Sequence, residues 1–282
     1  MTDRTSIGQV AAWFLHYLQG EGTLRKTGEK VHRSDYPGLF QKTIELEREV
    51  NGPNLNVKIE MIKANLDNFG LELRKYEDNP GRQMATVKQY AGKDGIAAIN
   101  AGFYKNGEIT GNLHLGCIII NGKVVSSPLK RNGQAILSAY VGIRKSTGKV
   151  EVGKIQGKIN PAEWDLFLQT GPLGLKQGRI NPQLQAMKHN NSVSPERDLS
   201  AIGLTGNNEV VFIKTHSKIP CSLRGISYVE LSEQMAKQGV ADMVFLDSGH
   251  SSSIFSKARL NITSGSKLTS SALVLRPKPQ KI

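Results

Sequence analysis

Apolar and polar residues alternate along two early segments, Leu55-Asn56-Val57-Lys58-Ile59-Glu60-Met61 and Leu71-Glu72-Leu73-Arg74. A period of two is typical of a strand with one buried face. Uninterrupted apolar runs at residues 95–99 and 243–246 favour strands that are buried on both faces. The pattern therefore predicts a domain built around a sheet.

Turn residues between apolar runs predict how several strands are connected. Asn121-Gly122 separates two such runs, and this dipeptide is a strong signal for a two-residue hairpin. Residues 139–143 and 149–152 form a second predicted pair, and residues 200–204 and 209–213 form a third. Hairpins join antiparallel strands, so we expect a mainly antiparallel sheet.

Helical spacing of apolar residues occurs in fewer segments. The clearest is 228–238, which is followed by Gly239 as a C-terminal cap. Residues 84–90 predict a short helix, and residues 7–18 predict another near the N-terminus. Residues 39–50 mix apolar and charged positions and fit either a helix or a strand.

Strands outnumber helices and the two do not alternate regularly, which is typical of an α+β fold. We predict a single domain, residues 55–275, around a mainly antiparallel twisted sheet with flanking helices. The strong turn Asn51-Gly52-Pro53-Asn54 separates it from a helical N-terminal extension, residues 1–54. Residues 276–282 are predicted to form a tail.

Composition narrows the choice of partners. With 282 residues, 38% of them hydrophobic, the chain is long enough to bury a core. A net charge of +13 favours a small anionic ligand such as a sugar phosphate or nucleotide phosphate, although an evenly spread solubility charge is an equal alternative. The basic residues are scattered, and no zinc finger or RNA-binding motif occurs, so we expect no nucleic-acid partner.

Cysteine usage and the N-terminal segment bear on the compartment. Cys117 and Cys221 are too few for a disulfide scaffold. The apolar stretch 11–18 is too short to span a membrane, and it lacks the basic flank and small-residue cleavage site of a signal peptide. We therefore expect a cytoplasmic protein with no membrane partner. Association into a homo-oligomer through residues 1–50 is an open alternative.

Two loops combine small and polar residues after apolar segments, as ligand sites at strand ends do. The first is Asn100-Ala101-Gly102-Phe103-Tyr104, followed by Glu108 and Asn112. Its asparagine can bind a sugar hydroxyl or orient a carboxylate, whereas a turn with a packed phenylalanine is the alternative. The second is Gln169-Thr170-Gly171-Pro172, for which a plain connection is the simpler interpretation.

A third loop, Leu246-Asp247-Ser248-Gly249-His250-Ser251, brings an acidic residue out of a predicted buried strand. Asp247 can act as nucleophile, general base or metal ligand, and His250 can carry a proton. Helix capping by Asp247 is the structural alternative. The spacing of His114, His216 and His250 does not require a metal, so we predict no cofactor. Binding of a divalent metal is an open alternative.

Taken in order, these loops resemble motifs of the phosphodiester glycosidase family over about residues 55–255. Asn100-Ala101-Gly102-Phe103-Tyr104 is similar to the family's Asn-Gly-Gly-Phe-Phe loop, and Leu246-Asp247-Ser248-Gly249-His250-Ser251 is similar to its Leu-Asp-Gly-Gly-Gly-Ser signature. The other similar elements are Glu108 and Gly111-Asn112, the Gly-rich loop Thr170-Gly171-Pro172, the strand Leu199-Ser200-Ala201-Ile202-Gly203 and the helix at residues 228–238.

The chain departs from the family pattern where a ligand would bind. Ala101, Ser248 and His250 replace glycines, and Leu199 stands where the family has an arginine. Arg197 lies two residues earlier, on the same side of an extended strand, and can supply the missing cation. These differences suggest an altered substrate or a lost activity rather than a different fold.

The resemblance implies a hydrolase that cleaves the glycosidic bond of a phosphate-linked sugar, with catalytic roles for Asp247, Glu108 and His250. The implied substrate-binding residues are Asn100, Gly102, Phe103, Asn112, Thr170, Gly171, Arg197, Ser248, Gly249 and Ser251. A non-catalytic module that binds or sequesters an anionic sugar or nucleotide is the alternative. A structural protein that interacts through residues 1–50 is a third.

Overall fold

The structure is a computed structural model, and it describes residues 24–48, 55–75, 84–104, 114–131, 134–135, 137–184, 198–217, 226–257, 263–264 and 268–279. No helix within these ranges has the length and apolar character that a membrane span requires. The strands are β1 (Leu24–Arg33), β2 (Leu39–Arg48), β3 (Leu55–Asn65), β4 (Phe69–Lys75), β5 (Ala97–Asn100), β6 (Phe103–Tyr104), β7 (His114–Leu115), β8 (Ile118–Ile120), β9 (Lys123–Ser126), β10 (Lys130–Arg131), β11 (Gln134–Ala135), β12 (Ala139–Arg144), β13 (Val150–Lys154), β14 (Trp164–Thr170), β15 (Leu173–Lys176), β16 (Arg179–Ile180), β17 (Ser200–Thr205), β18 (Glu209–Ser217), β19 (Val240–Phe245), β20 (Ile254–Ser256), β21 (Thr263–Ser264) and β22 (Ser271–Pro277). The helices with complete described bounds are α1 (Val87–Ala91) and α2 (Tyr228–Lys237).

Three antiparallel sheets make up the fold. The large sheet has eight strands in the order β1-β2-β3-β18-β17-β19-β15-β16. The second sheet has the order β13-β12-β14-β8-β9, and the third sheet has the order β21-β20-β5-β22-β4. Two short ribbons, β6-β7 and β10-β11, complete the described pairings.

The main core lies where one face of the large sheet meets the other two sheets. Side chains from all three contribute, among them Ile62 and Phe212 of the large sheet, Leu168 of the second sheet and Ile99 and Leu273 of the third. Each of these is at most 1% exposed. Burial of this apolar surface is the main force that holds the sheets together.

The outer faces of two sheets are covered by the helices. On the large sheet, Leu231 and Met235 of α2 pack in one cluster with Phe245. On the third sheet, α1 buries Tyr90 in a cluster with Phe255. Both helices begin with a capping box, which satisfies backbone N–H groups that the first helical turn leaves without partners.

The predicted α+β class, with flanking helices and a helical N-terminal extension, is wrong. The described chain is mostly β. Its sheets bury their inner faces against one another, so only part of the sheet surface is left for helices to cover. Three sheets share one core here. Local periodicity identifies strands but does not show how many sheets they divide into.

The helical prediction fails at residues 24–48, which form β1 and β2 of the large sheet. β2 lies inside the sheet, and its buried positions change from one face, at Leu39, Gln41 and Thr43, to the other, at Ile44, Leu46 and Arg48, so no single alternation runs along the strand. β1 is an edge strand whose residues are mostly exposed, so it carries no apolar pattern. The helix predicted at residues 7–18 lies outside the described residues.

Hairpin predictions agree with the structure. Asn121 and Gly122 have φ angles of 51° and 77° and join β8 to β9. The pairs β12-β13 and β17-β18 form as expected. The helix predicted before Gly239 is α2, and Gly239 takes a φ of 80°, a conformation that favours glycine.

An ion pair ties the N-terminal hairpin to α2. Arg48, at the end of β2, places its guanidinium 2.8 Å from the Glu230 carboxylate, and the arginine side chain is only 3% exposed. Glu230 also accepts the Ser227 N–H at 2.9 Å in the capping box of α2. The first turn of α2 therefore depends on a residue from the N-terminal hairpin.

We expect Arg48→Met to lower the free energy of unfolding by about 2–3 kcal/mol, because it leaves Glu230 without its buried cation. Urea unfolding followed by circular dichroism measures the change. Arg25→Met, at an exposed pair with Glu47 on the sheet edge, serves as the control and should cost less than about 1 kcal/mol. Equal losses in the two variants would contradict this role for Arg48.

Candidate functional site

Asp247 follows β19 at a point where the three predicted loops meet. Its backbone N–H donates to the carbonyl of Ala101 at 3.2 Å. The carbonyl of Phe245 accepts the N–H of Gly171 at 3.1 Å and the hydroxyl of Thr170 at 2.9 Å. The structure therefore brings the loops into direct contact around the acidic residue.

Asn100, the last residue of β5, organises this junction and is fully buried. Its Nδ2 donates to the Asp247 carbonyl at 2.5 Å. Its Oδ1 accepts the Ser200 hydroxyl at 2.7 Å and the Ser253 N–H at 2.9 Å. Because both ends of the amide are engaged, the structure favours an orienting role for Asn100 over direct contact with a sugar.

Two substitutions of family glycines have structural explanations. Ser248 has an extended φ of −127°, and its hydroxyl donates to the Leu246 carbonyl at 3.0 Å while accepting the Ser200 N–H at 3.2 Å. Ala101 is fully buried in the main core. Gly249, by contrast, has a φ of 71°, so glycine suits that position.

The carboxyl group of Asp247 lies in a partly buried environment. Its Oδ1 accepts the Ser248 N–H at 3.0 Å, and the Ser251 side chain also hydrogen-bonds to it. Burial raises the pKa of Asp247 to about 6, and the two hydrogen bonds oppose this rise. Near neutral pH the carboxylate is therefore mostly ionised but easily protonated, as suits a general base.

The predicted alternative, helix capping by Asp247, is not the arrangement found. The turn Gly249–Ser251 is a 3-10 helix whose N-cap residue is Ser248. No side-chain hydrogen bond caps this helix. The Asp247 carboxylate accepts the N–H of Ser248 instead, one residue ahead of the helix.

Several predicted ligand residues serve the backbone instead. The Gly171 N–H bonds to Phe245, and the Gly249 N–H donates to the Asp198 carbonyl at 2.6 Å. Thr170 is fully buried. Gly102 is also buried, and a Cβ there would lie 3.1 Å from Leu168 Cδ1. These residues shape the site without offering free donors.

Four predicted residues fall in whole or in part outside the described structure. Glu108, Asn112 and Arg197 lie outside the described residues, as does the side chain of His250. Phe103 is half-buried in β6, where it pairs with Leu115 of β7. Its contact with a ligand stays a prediction.

Two tyrosines belong to the site although they were not among the predicted residues. Tyr104 lies with its OH 3.2 Å from Ser251 Oγ. Tyr228 packs its ring edge-on against Phe245 with centroids 4.4 Å apart, and burial together with the Asp247 charge raises its pKa. Tyr104 was visible in the first loop, but Tyr228 gives no sequence signal because it opens a helix 19 positions before Asp247.

Titratable side chains surround Asp198, whose backbone carbonyl accepts the Gly249 N–H of the third loop. Lys214 Nζ and His216 Nδ1 lie 3.6 Å and 3.3 Å from Asp198 Oδ2. Burial lowers the pKa of Lys214, and the charge of Asp198 opposes that shift. His114 Nδ1 lies 3.4 Å from Ser270 Oγ. In the part of the chain that the structure describes, no group of three histidine, cysteine or acidic side chains could hold a metal. Binding of a divalent metal that involves the remaining residues stays a prediction to be tested.

Cys117 is buried, and burial raises the pKa of its thiol to about 11. A thiol of this kind stays protonated near neutral pH and is a poor nucleophile. It packs behind the second sheet with Trp164 and Phe167. Cysteine-based catalysis by this residue is therefore not supported, while Cys221 lies outside the described residues.

We expect Asp247→Asn to stabilise the protein above pH 6. The folded protein holds the Asp247 proton more tightly than the unfolded chain, in which an aspartate has its ordinary pKa of 3.8. The cost of ionisation therefore grows as pH rises from about 4 to 6 and stays constant above, so the variant gains about 3 kcal/mol there. Thermal unfolding at pH values from 4 to 8 measures it.

The matched control is Asp35→Asn, at an exposed aspartate of the β1-β2 turn. This variant also removes one carboxyl group, at an exposed position, so it controls for the change in net charge. A constant stability difference for Asp247→Asn at all pH values would contradict the raised pKa.

Comparison with known proteins gives a family and a fold. A family model described as phosphodiester glycosidase matches residues 93–276. Curated proteins include no match. The structure resembles the catalytic domain of zebrafish N-acetylglucosamine-1-phosphodiester alpha-N-acetylglucosaminidase, auto-inhibited by its pro-peptide, with a TM-score of 0.63 and 18% identity over 89% of each chain. It also resembles a hypothetical protein from Synechocystis, with a TM-score of 0.56 and 12% identity over 92% of this chain and 81% of that one.

Proposed function

Because the chain belongs to the phosphodiester glycosidase family, we propose that it hydrolyses the glycosidic bond of a sugar linked through its anomeric carbon to a phosphodiester. The family makes a hydrolase of this general kind the expected activity. The observation that supports it most is the convergence of the three loops on the backbone at Phe245 and Asp247, beside the partly buried Asp247 carboxyl group. The name of the zebrafish enzyme points to N-acetylglucosamine as the sugar to test first.

Asp247 is our candidate for the group that acts at the anomeric carbon. A carboxylate there can attack as a nucleophile, activate a water molecule or stabilise the positive charge that develops on the sugar. All three roles require its ionised form, which the Ser248 N–H and the Ser251 hydroxyl favour. Activity should therefore rise with pH through about 6.

Cleavage of the bond between the anomeric carbon and oxygen releases a phosphate monoester, which is a stabilised anion, so the reaction needs less help from a general acid than an ordinary glycosidase does. Glu108 is our candidate for the second carboxylate, and His250 for a proton carrier. Because the Gly171 and Gly249 amides already bond to backbone carbonyls, we assign the phosphate to Arg197 rather than to these amides. Asn112 and Phe103 stay candidates for contacts with the sugar.

The test uses the methyl phosphodiester of N-acetylglucosamine 1-phosphate, with free N-acetylglucosamine measured by chromatography. We expect turnover by the native chain and a loss of about 10²–10⁴-fold in Asp247→Asn. Asp35→Asn is the control and should retain full turnover. Runs with and without EDTA show whether a divalent metal contributes.

Unchanged turnover in Asp247→Asn would overturn the assignment of Asp247. Binding of the substrate by calorimetry without any product from the native chain would instead favour the non-catalytic binding module. The substitutions Ala101, Ser248 and His250 at the site make that comparison necessary. The cytoplasmic location and an oligomer through residues 1–50 stay predictions.

A further inference from the structure

The side chain of Gln169 is fully buried at the start of the second loop. Gln169 is the next-to-last residue of β14, and Thr170 and Gly171 follow it directly. A buried carboxamide costs free energy unless its donors and acceptors find partners. The partners of Gln169 therefore show which segments this side chain holds together.

The Gln169 carboxamide bonds to backbone groups of three other segments. Its Oε1 accepts the Cys117 N–H at 2.7 Å and the Leu129 N–H at 3.1 Å. Its Nε2 donates to the Leu137 carbonyl at 2.8 Å and, over a longer 3.4 Å, to the Leu129 carbonyl. An amide side chain has two donor protons and one oxygen with two lone pairs, so this amide makes its full set of hydrogen bonds.

Two of these segments form the base of the β10-β11 ribbon. We define the ribbon base as Leu129, directly before β10, and residues 137–139, which lead into β12. Gln169 bonds to both the N–H and the carbonyl of Leu129, as a neighbouring strand would. Among the described strands, β10 and β11 pair only with each other, and a two-stranded ribbon is marginally stable by itself. The ribbon base therefore depends on Gln169 for its attachment.

The ribbon base lies against the second loop. A Cβ placed on Gly171 would lie 3.3 Å from the Ala139 Cβ, so the two segments approach closely. Gly171 also donates its N–H to the Phe245 carbonyl at 3.1 Å, two residues before Asp247. Contacts therefore run without a break from Gln169 through the second loop to the backbone that leads to Asp247.

We propose that Gln169 is a positioning residue of the candidate site, which holds the ribbon base against the second loop and thereby fixes the backbone at Phe245 and Asp247. The catalytic consequence rests on the proposed function of Asp247, whereas the placement of the ribbon and the loop does not. An apolar residue of similar size would leave backbone groups of three segments without this partner.

Two variants of Gln169 test the inference. Gln169→Met keeps the size of the side chain and removes all four hydrogen bonds. Gln169→Glu is the second variant, in case the first does not fold, because it keeps an acceptor for Cys117 and loses the donors to the ribbon base. Gln41→Met is the matched control, at another buried glutamine, whose amide bonds to Ser256 between the large and third sheets.

The first readout is the rate at which trypsin cleaves after Lys130, an exposed residue of β10, measured by mass spectrometry of the products. Proteases cut segments that open locally, and lost hydrogen bonds favour that opening. We expect cleavage to become about tenfold faster in both Gln169 variants and to stay within about twofold of native in Gln41→Met.

The second readout is the carbon NMR signal of the Asp247 carboxyl group in protein with labelled aspartate, assigned by its absence in Asp247→Asn. It should shift in the Gln169 variants and keep its native position in Gln41→Met. The kcat for the methyl phosphodiester of N-acetylglucosamine 1-phosphate should fall about tenfold in Gln169→Met, because misplaced groups react slowly. Gln41→Met should keep the native kcat.

Native cleavage rates in both Gln169 variants would overturn the inference. So would faster cleavage with an unchanged Asp247 signal, because the ribbon base would then be attached without placing the site. A native kcat in Gln169→Met would overturn it as well. Faster cleavage together with a shifted signal, in a protein whose native chain shows no turnover, would uphold the inference and count against the proposed function alone.

Discussion

The buried amide of Asn100 is the interaction on which the arrangement of the site depends. It bonds to Ser200 of the large sheet, to Ser253 beside the third sheet and to the carbonyl of Asp247. A buried amide without partners costs considerable free energy, so the two sheets and the acidic loop must keep this relative placement. The side chain with the greatest influence on the geometry is thus one that a ligand does not need to touch.

Burial has opposite effects on the Asn100 amide and on the Asp247 carboxyl group. Around Asn100 it strengthens hydrogen bonds between neutral groups. Around Asp247 it raises the pKa and makes the charged form costly, and Ser248 and Ser251 offset part of that cost. The same exclusion of water that fixes the loop also raises the pKa of its carboxyl group to about 6. Under the proposed function, this site exchanges some stability for chemistry, as active sites commonly do.

Sequence pattern predicts those features that depend on neighbouring residues. The Asn121-Gly122 hairpin was predictable because positive φ angles select these two residue types. β1 and β2 were not, because β1 is mostly exposed and the buried face of β2 changes partway along the strand. The three site loops were predictable from their small polar residues. Tyr228 was not, because only the packing of α2 on Phe245 brings it to Asp247.

The four strands β1–β4 precede the region that the family model matches, yet β3 pairs with β18 and β4 pairs with β22. Without them, two interior strands would become open edges, and their N–H and C=O groups would face solvent or another chain. The family region and the cooperative folding unit are therefore of different sizes in this protein. A fragment cut at the family boundary would keep the acidic loop but would be prone to aggregate through its exposed strands.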